Sequence, residues 1–412
     1  MAGCPHFDLM APETYRGGVP RETFRYLRNE EPVYWHEDPE QGVGFWAITR
    51  HADLDYVSKN PLLFSSAEKT CFLWEAPEDR LEIMRQQMIN MDPPQHLKFR
   101  RLVRNAFTPK KVDSYEPRFR EVARQILDKA VVGGECEFVE DIAAELPLIA
   151  ICELMGVPLD KRRRLFELTN IMLGMSDPEL TTTEEDGETA MAEVFFLAHE
   201  LAELHRSNPQ DDIVHVLLTG TVEDEPLTDE EFCHFFLLLI VAGNETTRTV
   251  TSQGMRLLMQ HPEQYQMLVD DPGLLEGAIE EFLRFDPAVI AFRRTATEDV
   301  ELGGKTIRAG DKVIMFYPAA NADENVFSEP DVFDITRQQR GEDVRNLHRA
   351  FGVGEHFCLG SHLARLELKV IFEEILSRVR NPQPNGEINW LRSNFIHGIK
   401  QMPIRFDVVE AG

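Results

Sequence analysis

Apolar residues recur three and four positions apart along most of the chain, the spacing that places them on one face of a helix. Seven segments carry this pattern and are predicted to be helical. In chain order they are Arg21–Glu30, Leu97–Phe107, Arg118–Val131, Ala190–His205, Glu230–Met259, Leu274–Phe285 and Ser361–Val379. We therefore expect a mainly α fold.

Alternation of apolar and polar residues, the mark of strands, is confined to short stretches. Val33–Trp35 and Gly44–Thr49 predict two strands joined through a turn that contains Pro39 and Gly42. Val300–Tyr317 alternates and carries Gly-Gly and Ala-Gly turns, so it predicts a small β-ribbon. The sheets should be small and peripheral.

No internal repeat, low-complexity tract or Gly/Ser-rich linker interrupts the sequence. We therefore expect one domain over 1–412, with its β-containing parts at about 31–60 and 287–320 and helices elsewhere.

The charge balance narrows the function. The 412 residues include 43 Lys and Arg against 71 Asp and Glu, a formal charge of −28, which disfavours nucleic acid because a phosphate backbone needs a basic face. The longest apolar run, Phe235–Gly243, is too short to span a bilayer, and the first residues lack the apolar core of a signal peptide. We expect a cytoplasmic protein without a membrane anchor.

The six cysteines stand at positions 4, 71, 136, 152, 233 and 358, without a CxxC pair. This scatter disfavours a disulfide framework and a zinc site, and it is typical of a reducing compartment. Five of them need no explanation beyond small buried hydrophobes or surface thiols.

Cys358 differs, because it lies in the glycine-rich stretch Phe351–Gly360. Gly352 and Gly354 permit a tight loop and the close approach of a flat ligand. Gly360 opens a helix whose N-terminal amides favour a thiolate and would tune a bound metal. A nucleophilic cysteine is an alternative, although no oriented base is evident. An inert buried cysteine would leave the glycines unexplained.

The stretch Phe351–Gly360 completes the pattern F-G-x-G-x-H-x-C-x-G. With four further motifs in matching order, the chain resembles the cytochrome P-450 superfamily, the haem-thiolate monooxygenases, over nearly its whole length. The four are HLKFR at His96–Arg100, AGNETT at Ala242–Thr247, EFLR at Glu281–Arg284 and FDITR at Phe333–Arg337. The resemblance implies that superfamily's fold: helix-rich, with small peripheral sheets enclosing a haem.

By this resemblance Cys358 would be the thiolate ligand of the iron of haem b, with Phe351, Gly352 and Gly360 around it. The two haem propionates must be neutralised in an apolar cavity. The candidate partners are His96, Arg100, Arg294 and His356. Arg293 stands beside Arg294, so the sequence leaves the choice between these two arginines open.

The resemblance also implies a structural triad of Glu281, Arg284 and Arg337, which would hold the segment near 321–337 under the cysteine loop. Glu281 and Arg284 lie three residues apart on a helix, the right spacing for an ion pair. Glu280, immediately before the triad, is expected to be an ordinary exposed carboxylate.

On the opposite side of the haem, the long apolar helix contains the polar stretch Gly243–Thr247. We expect the helix to open at Ala242 and Gly243 so that oxygen and water fit there. Thr246 would be the hydrogen-bond donor to oxygen, and Glu245 the proton link to solvent.

The substrate should be an apolar small molecule, such as a terpenoid, a sterol side chain or a branched lipid, because the segments expected to line its pocket are apolar. The predicted pocket residues are Phe72, Leu73, Trp74, Leu238, Leu239, Val289, Ile290, Phe292, Phe395 and Ile396.

The resemblance implies that electrons come from NAD(P)H through a soluble ferredoxin and its reductase. An acidic ferredoxin needs a local basic patch on this acidic chain. The candidates are Arg101, Arg104, Lys110, Lys111, Arg345 and Arg349. A peroxide-using haem-thiolate enzyme and a haem-based sensor are the alternatives, and Glu245 with Thr246 argues against both.

Overall fold

Helices make up most of the computed structural model, which describes residues 8–38, 41–174, 176–180, 183–210 and 212–409. Cys4 and the predicted turn residue Pro39 lie outside these ranges. The α-helices are α1 Arg21–Glu30, α2 His51–Lys59, α3 Glu78–Met84, α4 Gln95–Val103, α5 Pro109–Asp113, α6 Glu116–Ala130, α7 Glu145–Leu154, α8 Arg162–Leu173, α9 Glu184–Ser207, α10 Ile213–Thr219, α11 Asp229–Gln260, α12 Pro262–Asp270, α13 Leu275–Phe285, α14 Tyr317–Ala320, α15 Val344–Leu347 and α16 Ser361–Arg378.

The strands are short and form small sheets. They are β1 Val33–His36, β2 Phe45–Ile48, β3 Phe64–Ser65, β4 Glu135–Glu137, β5 Thr221–Val222, β6 Glu225–Pro226, β7 Ala291–Ala296, β8 Val300–Leu302, β9 Lys305–Ile307, β10 Lys312–Phe316, β11 Val379–Pro384, β12 Asn389–Trp390, β13 Ile399–Gln401 and β14 Pro403–Val408. The prediction of a mainly α fold with small sheets is confirmed. The predicted ribbon over 300–317 is only partly present, because β8 and β9 form a hairpin while β10 joins another sheet.

That larger sheet has the order β1-β2-β10-β7-β3, with β10 parallel to β2 and antiparallel to β7. Successive side chains on a strand point to opposite faces. On β7, Phe292 and Arg294 therefore face the interior cavity, and Arg293 points to the other side of the sheet.

The long helix α11 runs through the centre of the fold. Its first turn is fixed by a capping box, in which Thr228 accepts from the amide of Glu231 and the Glu231 side chain accepts from the amide of Thr228. Further along, Gly254 lets α13 and α16 approach closely, because a Cβ there would lie 2.8 Å from Phe282 and 3.0 Å from Phe372. None of the helices within the described ranges is long and apolar enough to cross a membrane.

Candidate active site

A cavity lies between the middle of α11 and the loop that carries Cys358. The ten residues that the sequence suggested for cofactor binding all line it, and so does Thr246. The ten are His96, Arg100, Ala242, Gly243, Arg294, Phe351, Gly352, His356, Cys358 and Gly360. They come from α4, α11, β7 and the loop before α16, so the fold brings together four distant parts of the chain.

The cysteine loop is shaped by left-handed backbone and by its own hydrogen bonds. Gly352 and Gly354 have φ of 69° and 76°, and a Cβ on Gly354 would lie 2.8 Å from the carbonyl oxygen of Ser58. The amide of Cys358 donates to the carbonyl oxygen of Phe351 at 2.8 Å. Burial raises the pKa of the Cys358 thiol. The backbone amide of Gly360 donates a hydrogen bond to the sulfur and opposes that rise in pKa.

Four basic side chains meet at one side of this cavity without an acidic partner. The rings of His96 and His356 stack with their centroids 4.1 Å apart, and Nδ1 of His96 is buried without a hydrogen-bond partner. Arg100 and Arg294 join them. In the part of the chain that the structure describes, none of the four forms an ion pair with a carboxylate.

The electrostatics of this cluster suit an anionic ligand. Burial, reinforced by Arg100 and Arg294, lowers the pKa of His96 to about 4. Burial also lowers the pKa of His356, and Arg294, His96 and Arg100 push it the same way. Two carboxylates would neutralise Arg100 and Arg294 and accept hydrogen bonds from the two imidazoles, so the residues present fit the two propionates of a haem.

The neighbouring arginines on β7 have separate partners. Arg293 donates to Oε1 of Glu75 at 2.7 Å on the far face of the sheet. Lys312 lies on that same face, 3.3 Å from the same carboxylate oxygen. Arg294 faces the cavity and Arg293 does not, so Arg294 is the better candidate of the two for binding a propionate.

The three residues of the suggested triad are in contact and buried. Arg284 donates to both carboxylate oxygens of Glu281, at 2.7 and 2.8 Å. Arg337 reaches Glu281 Oε1 at 3.1 Å. Both arginines also donate to carbonyl oxygens of the segment 321–332, which ties that segment to α13.

The expectation of an exposed Glu280 is wrong. Glu280 is 2% exposed, and its carboxylate accepts hydrogen bonds from His348 and Arg365. Adjacent residues on a helix point about 100° apart, so Glu281 faces one packed segment and Glu280 another.

The predicted opening in α11 is absent. The helix is continuous over Asp229–Gln260, and the Thr246 hydroxyl donates to the carbonyl oxygen of Ala242 at 2.8 Å. Gly243 lines the cavity, and its missing side chain lets Ile151 of α7 pack against the helix, since a Cβ on Gly243 would lie 3.0 Å from Ile151.

Glu245 does not open to solvent, contrary to expectation. It is 1% exposed, lies outside the cavity lining, and forms an ion pair with Arg248. Arg248 donates to Asn170 at 2.8 Å and is itself buried. Burial raises the pKa of Glu245, and Arg248 opposes that rise.

The predicted substrate wall is partly wrong. Leu238, Leu239, Val289 and Phe292 line the cavity, whereas the other six residues do not. Leu73 and Ile290 pack in the core on the far face of the large sheet. Ile396 forms an isolated antiparallel β-bridge with Val289.

The remaining three form an aromatic layer behind Phe292. The ring of Phe395 contacts that of Phe292 edge-on, with the ring centroids 5.4 Å apart. The ring of Phe72 contacts that of Phe395 in the same way, with the centroids 5.8 Å apart. Trp74, which is 38% exposed, stacks on Phe72 at 4.7 Å. The layer therefore extends from the cavity wall to the surface.

Other wall residues were missed, among them Met88, Ile89, Ile151, Thr247 and Ala288. Thr247 lies in a motif that the sequence did single out, and Ala288 directly precedes Val289. The other three belong to unrelated segments, and their apolar character alone does not distinguish them from the core.

Most of the suggested basic patch is free of acidic partners. Arg101, Arg104, Lys110 and Lys111 have no ion pair within the described ranges, and all but Lys111 are exposed. Arg345 is 46% exposed. Arg349 was wrongly included, because it is buried and paired with both carboxylate oxygens of Asp55.

Comparison with known proteins places this geometry in a family. A family model described as cytochrome P-450 matches residues 269–389. Over 98% of its length the chain is 36% identical to the steroid C26-monooxygenase of Rhodococcus jostii, of which it covers 86%. Over 96% it is 37% identical to the linalool 8-monooxygenase of Pseudomonas putida, of which it covers 98%.

A solved structure shares the fold closely. The Mycobacterium marinum cytochrome P-450 in complex with pseudoionone superposes with a TM-score of 0.89 at 35% identity, over 98% of this chain and 100% of that one. The chain therefore belongs to the cytochrome P-450 family, uses haem and O2, and is a monooxygenase of apolar small molecules.

Proposed function

We propose that Cys358 ligates the haem iron and that His96, Arg100, Arg294 and His356 bind the propionates. The observation that carries this assignment is the convergence of four basic groups, none of them ion-paired with a carboxylate of the described residues, on the cavity that also contains the sulfur. Phe351, Gly352 and Gly360 shape the loop beneath the porphyrin. Ala242 and Gly243 leave room for it beside α11.

Bound haem supplies the activation of O2 that allows one oxygen atom to be inserted into a C–H bond. Thr246 faces that reaction space. The Thr246 hydroxyl donates its hydrogen to the Ala242 carbonyl oxygen, so its own oxygen can accept a hydrogen bond from a neighbouring donor. Glu245 remains the proposed proton link, and because it is buried in an ion pair with Arg248 on the adjacent face of α11, this role requires the carboxylate to leave Arg248 and reach water.

The substrate is an apolar molecule of the terpenoid, sterol side-chain or branched-lipid class. The distal wall supports this proposal, since Leu238, Leu239, Val289 and Phe292 offer no charge to anchor a polar head. The relatives named for a steroid and for linalool, and the structure holding pseudoionone, are consistent with the same class.

Electrons come from NAD(P)H through a ferredoxin and its reductase. The unpaired basic side chains Arg101, Arg104, Lys110 and Lys111, with Arg345, support docking of an acidic donor on a chain of charge −28. The ferredoxin partner and the cytoplasmic location both remain predictions.

The test begins with haem loading of the full chain and a carbon monoxide difference spectrum. A thiolate-type spectrum, followed by substrate-dependent NADH consumption with a ferredoxin and its reductase, is the expected result. Absence of the thiolate-type spectrum would contradict the proposed ligand. Turnover with peroxide alone would favour the peroxide-using alternative.

A further inference from the structure

Glu280, the carboxylate next to the triad, has a set of contacts that the triad does not share. Its Oε1 accepts from Nε of Arg365 at 2.7 Å, and its Oε2 accepts from Nη2 of the same residue at 2.9 Å. Oε2 also accepts from His348 at 3.0 Å. A forked pair of this kind fixes both orientation and distance.

His348 passes this constraint to the cysteine loop. Its Nδ1 accepts a hydrogen bond from the amide of Ala350 at 3.2 Å, so that nitrogen carries no proton. The ring is therefore neutral, with its proton on Nε2, where it donates to Glu280. Burial lowers the pKa of His348, in agreement with a neutral ring.

The next residue completes the connection to the sulfur. Phe351 follows Ala350, and its carbonyl oxygen accepts from the amide of Cys358. Arg365, held by Glu280, lies with its guanidinium 4.6 Å from the centre of the Phe351 ring. The backbone amide of Ala350 and the ring of Phe351 are thus both held by partners of the same carboxylate.

The charges at Glu280 balance without help from the surface. The carboxylate is matched by Arg365, and His348 is neutral. Burial alone would raise the pKa of Glu280, but the bonds from His348 and Arg365 outweigh it and bring the pKa to about 2. Arg345 lies 3.9 Å away and is half exposed, so it remains available to solvent.

We propose that Glu280 is a positioning residue for Cys358, acting through His348 on the backbone of the cysteine loop and through Arg365 on the ring of Phe351. This inference rests on the proposed ligation of haem by Cys358. It differs from the role of Glu281, whose contacts lead to Arg337 and the segment 321–337.

The test compares Glu280→Gln, His348→Asn and His348→Phe in the haem-loaded full chain. We measure the decay of the thiolate-type carbon monoxide complex and the midpoint reduction potential, beside thermal unfolding. Glu280→Gln should speed the decay about tenfold, the effect of losing one hydrogen bond to a charged group, and shift the potential. His348→Asn, whose Oδ1 can still accept from Ala350, should lie closer to wild type than His348→Phe.

Asp286→Asn is the matched control. Asp286 is also buried on the α13 side of the fold and pairs with Arg21 and Arg256, but it contacts no part of the cysteine loop. It should lose thermal stability while keeping the decay rate and the potential of wild type.

The inference is overturned if Glu280→Gln, at an unfolding temperature similar to that of Asp286→Asn, retains the wild-type decay rate and potential. Should Glu280→Gln fail to fold, equal behaviour of the two His348 variants overturns it. A wild-type protein without a thiolate-type spectrum would instead disprove the ligation by Cys358, and with it both proposals.

Discussion

The two walls of the haem cavity are built in different ways. The proximal wall is one continuous loop, Phe351–Gly360, whose geometry is set by glycine dihedrals and by hydrogen bonds within a few residues. The distal wall is assembled from α7, α11, β7 and the segments near Cys71 and Ile89. A local wall holds one geometry for one ligand, whereas an assembled wall can change its shape one residue at a time.

This difference separates chemistry from specificity. Changes in the proximal wall should alter the spectrum, the stability or the potential. Changes in the distal wall should alter which molecule is oxidised and how efficiently. The predictions below test that division, beginning with the largest effect.

Cys358→His should abolish the thiolate-type carbon monoxide spectrum and essentially all turnover, because an imidazole cannot supply the electron density of a thiolate. Cys71→Ser is the matched control, since Cys71 also lines the cavity among the described residues, and it should keep the spectrum. Difference spectroscopy on both variants decides the matter. If Cys358→His keeps the thiolate-type spectrum, another cysteine is the ligand.

Glu281→Gln should lower the free energy of unfolding by about 3–5 kcal/mol, because it leaves Arg284 buried without a carboxylate and removes one of the two carboxylates that Arg337 contacts. Denaturant titration measures this loss. Glu200→Gln, which breaks the exposed pair with Lys161, should cost less than ~1 kcal/mol. Equal losses in the two variants would show that the triad does not hold the proximal side together.

Thr246→Val should leave substrate binding intact and let NADH consumption continue. Product formed per NADH should fall severalfold while hydrogen peroxide rises, since the hydroxyl facing the cavity is gone. Peroxide and product are both quantified against NADH. Tight coupling in this variant would remove Thr246 from the proposed chemistry.

Glu245→Gln should slow turnover, within the roughly 10²–10⁴-fold range of general acid–base catalysis, and enlarge the solvent isotope effect. The substitution also leaves Arg248 buried and unpaired. Glu245→Gln combined with Arg248→Met controls for that cost. A rate restored in the double variant would mean that Glu245 serves the ion pair rather than proton delivery.

Arg104→Glu and Arg345→Glu should each raise the KM for ferredoxin by about fivefold at low salt, with little change in kcat, as expected for exposed charges at the rim of an interface. Added salt should weaken wild-type docking as the Debye length falls below ~10 Å above 0.1 M. Arg163→Glu, at a 70% exposed position on α8, is the control for net charge. An unchanged, salt-independent KM would place docking elsewhere.

The contrast between the walls also explains what sequence can predict. The cysteine loop can be recognised from ten consecutive residues, and the ten candidate cofactor-binding residues all line one cavity. The helical core follows from apolar periodicity, because that pattern is a property of each segment alone.

Where contacts depend on packing between distant segments, the sequence is ambiguous. Glu280 and Glu281 are identical neighbours, and only the positions of His348, Arg365 and Arg337 tell them apart. The sequence offers Glu280 no partner, because the ten-residue motif ends before Arg365 and begins after His348.

The distal wall shows the same limit. Phe72 and Phe395 are as apolar as Phe292, yet they lie in a layer behind it. Hydrophobic character predicts burial but does not say which buried face borders a cavity.

The cluster of His96, Arg100, Arg294 and His356 has a consequence for how the protein is made in a cell. Arg100 and Arg294 line the cavity without a carboxylate partner among the described residues and lower the pKa of both imidazoles, so a dianion that neutralises the two arginines stabilises the folded state. A ligand that binds only the folded state stabilises it in proportion to the logarithm of its free concentration. The yield of native enzyme is therefore tied to haem biosynthesis, and a shortage of haem should expose newly made chains to proteolysis before it limits the rate of any reaction.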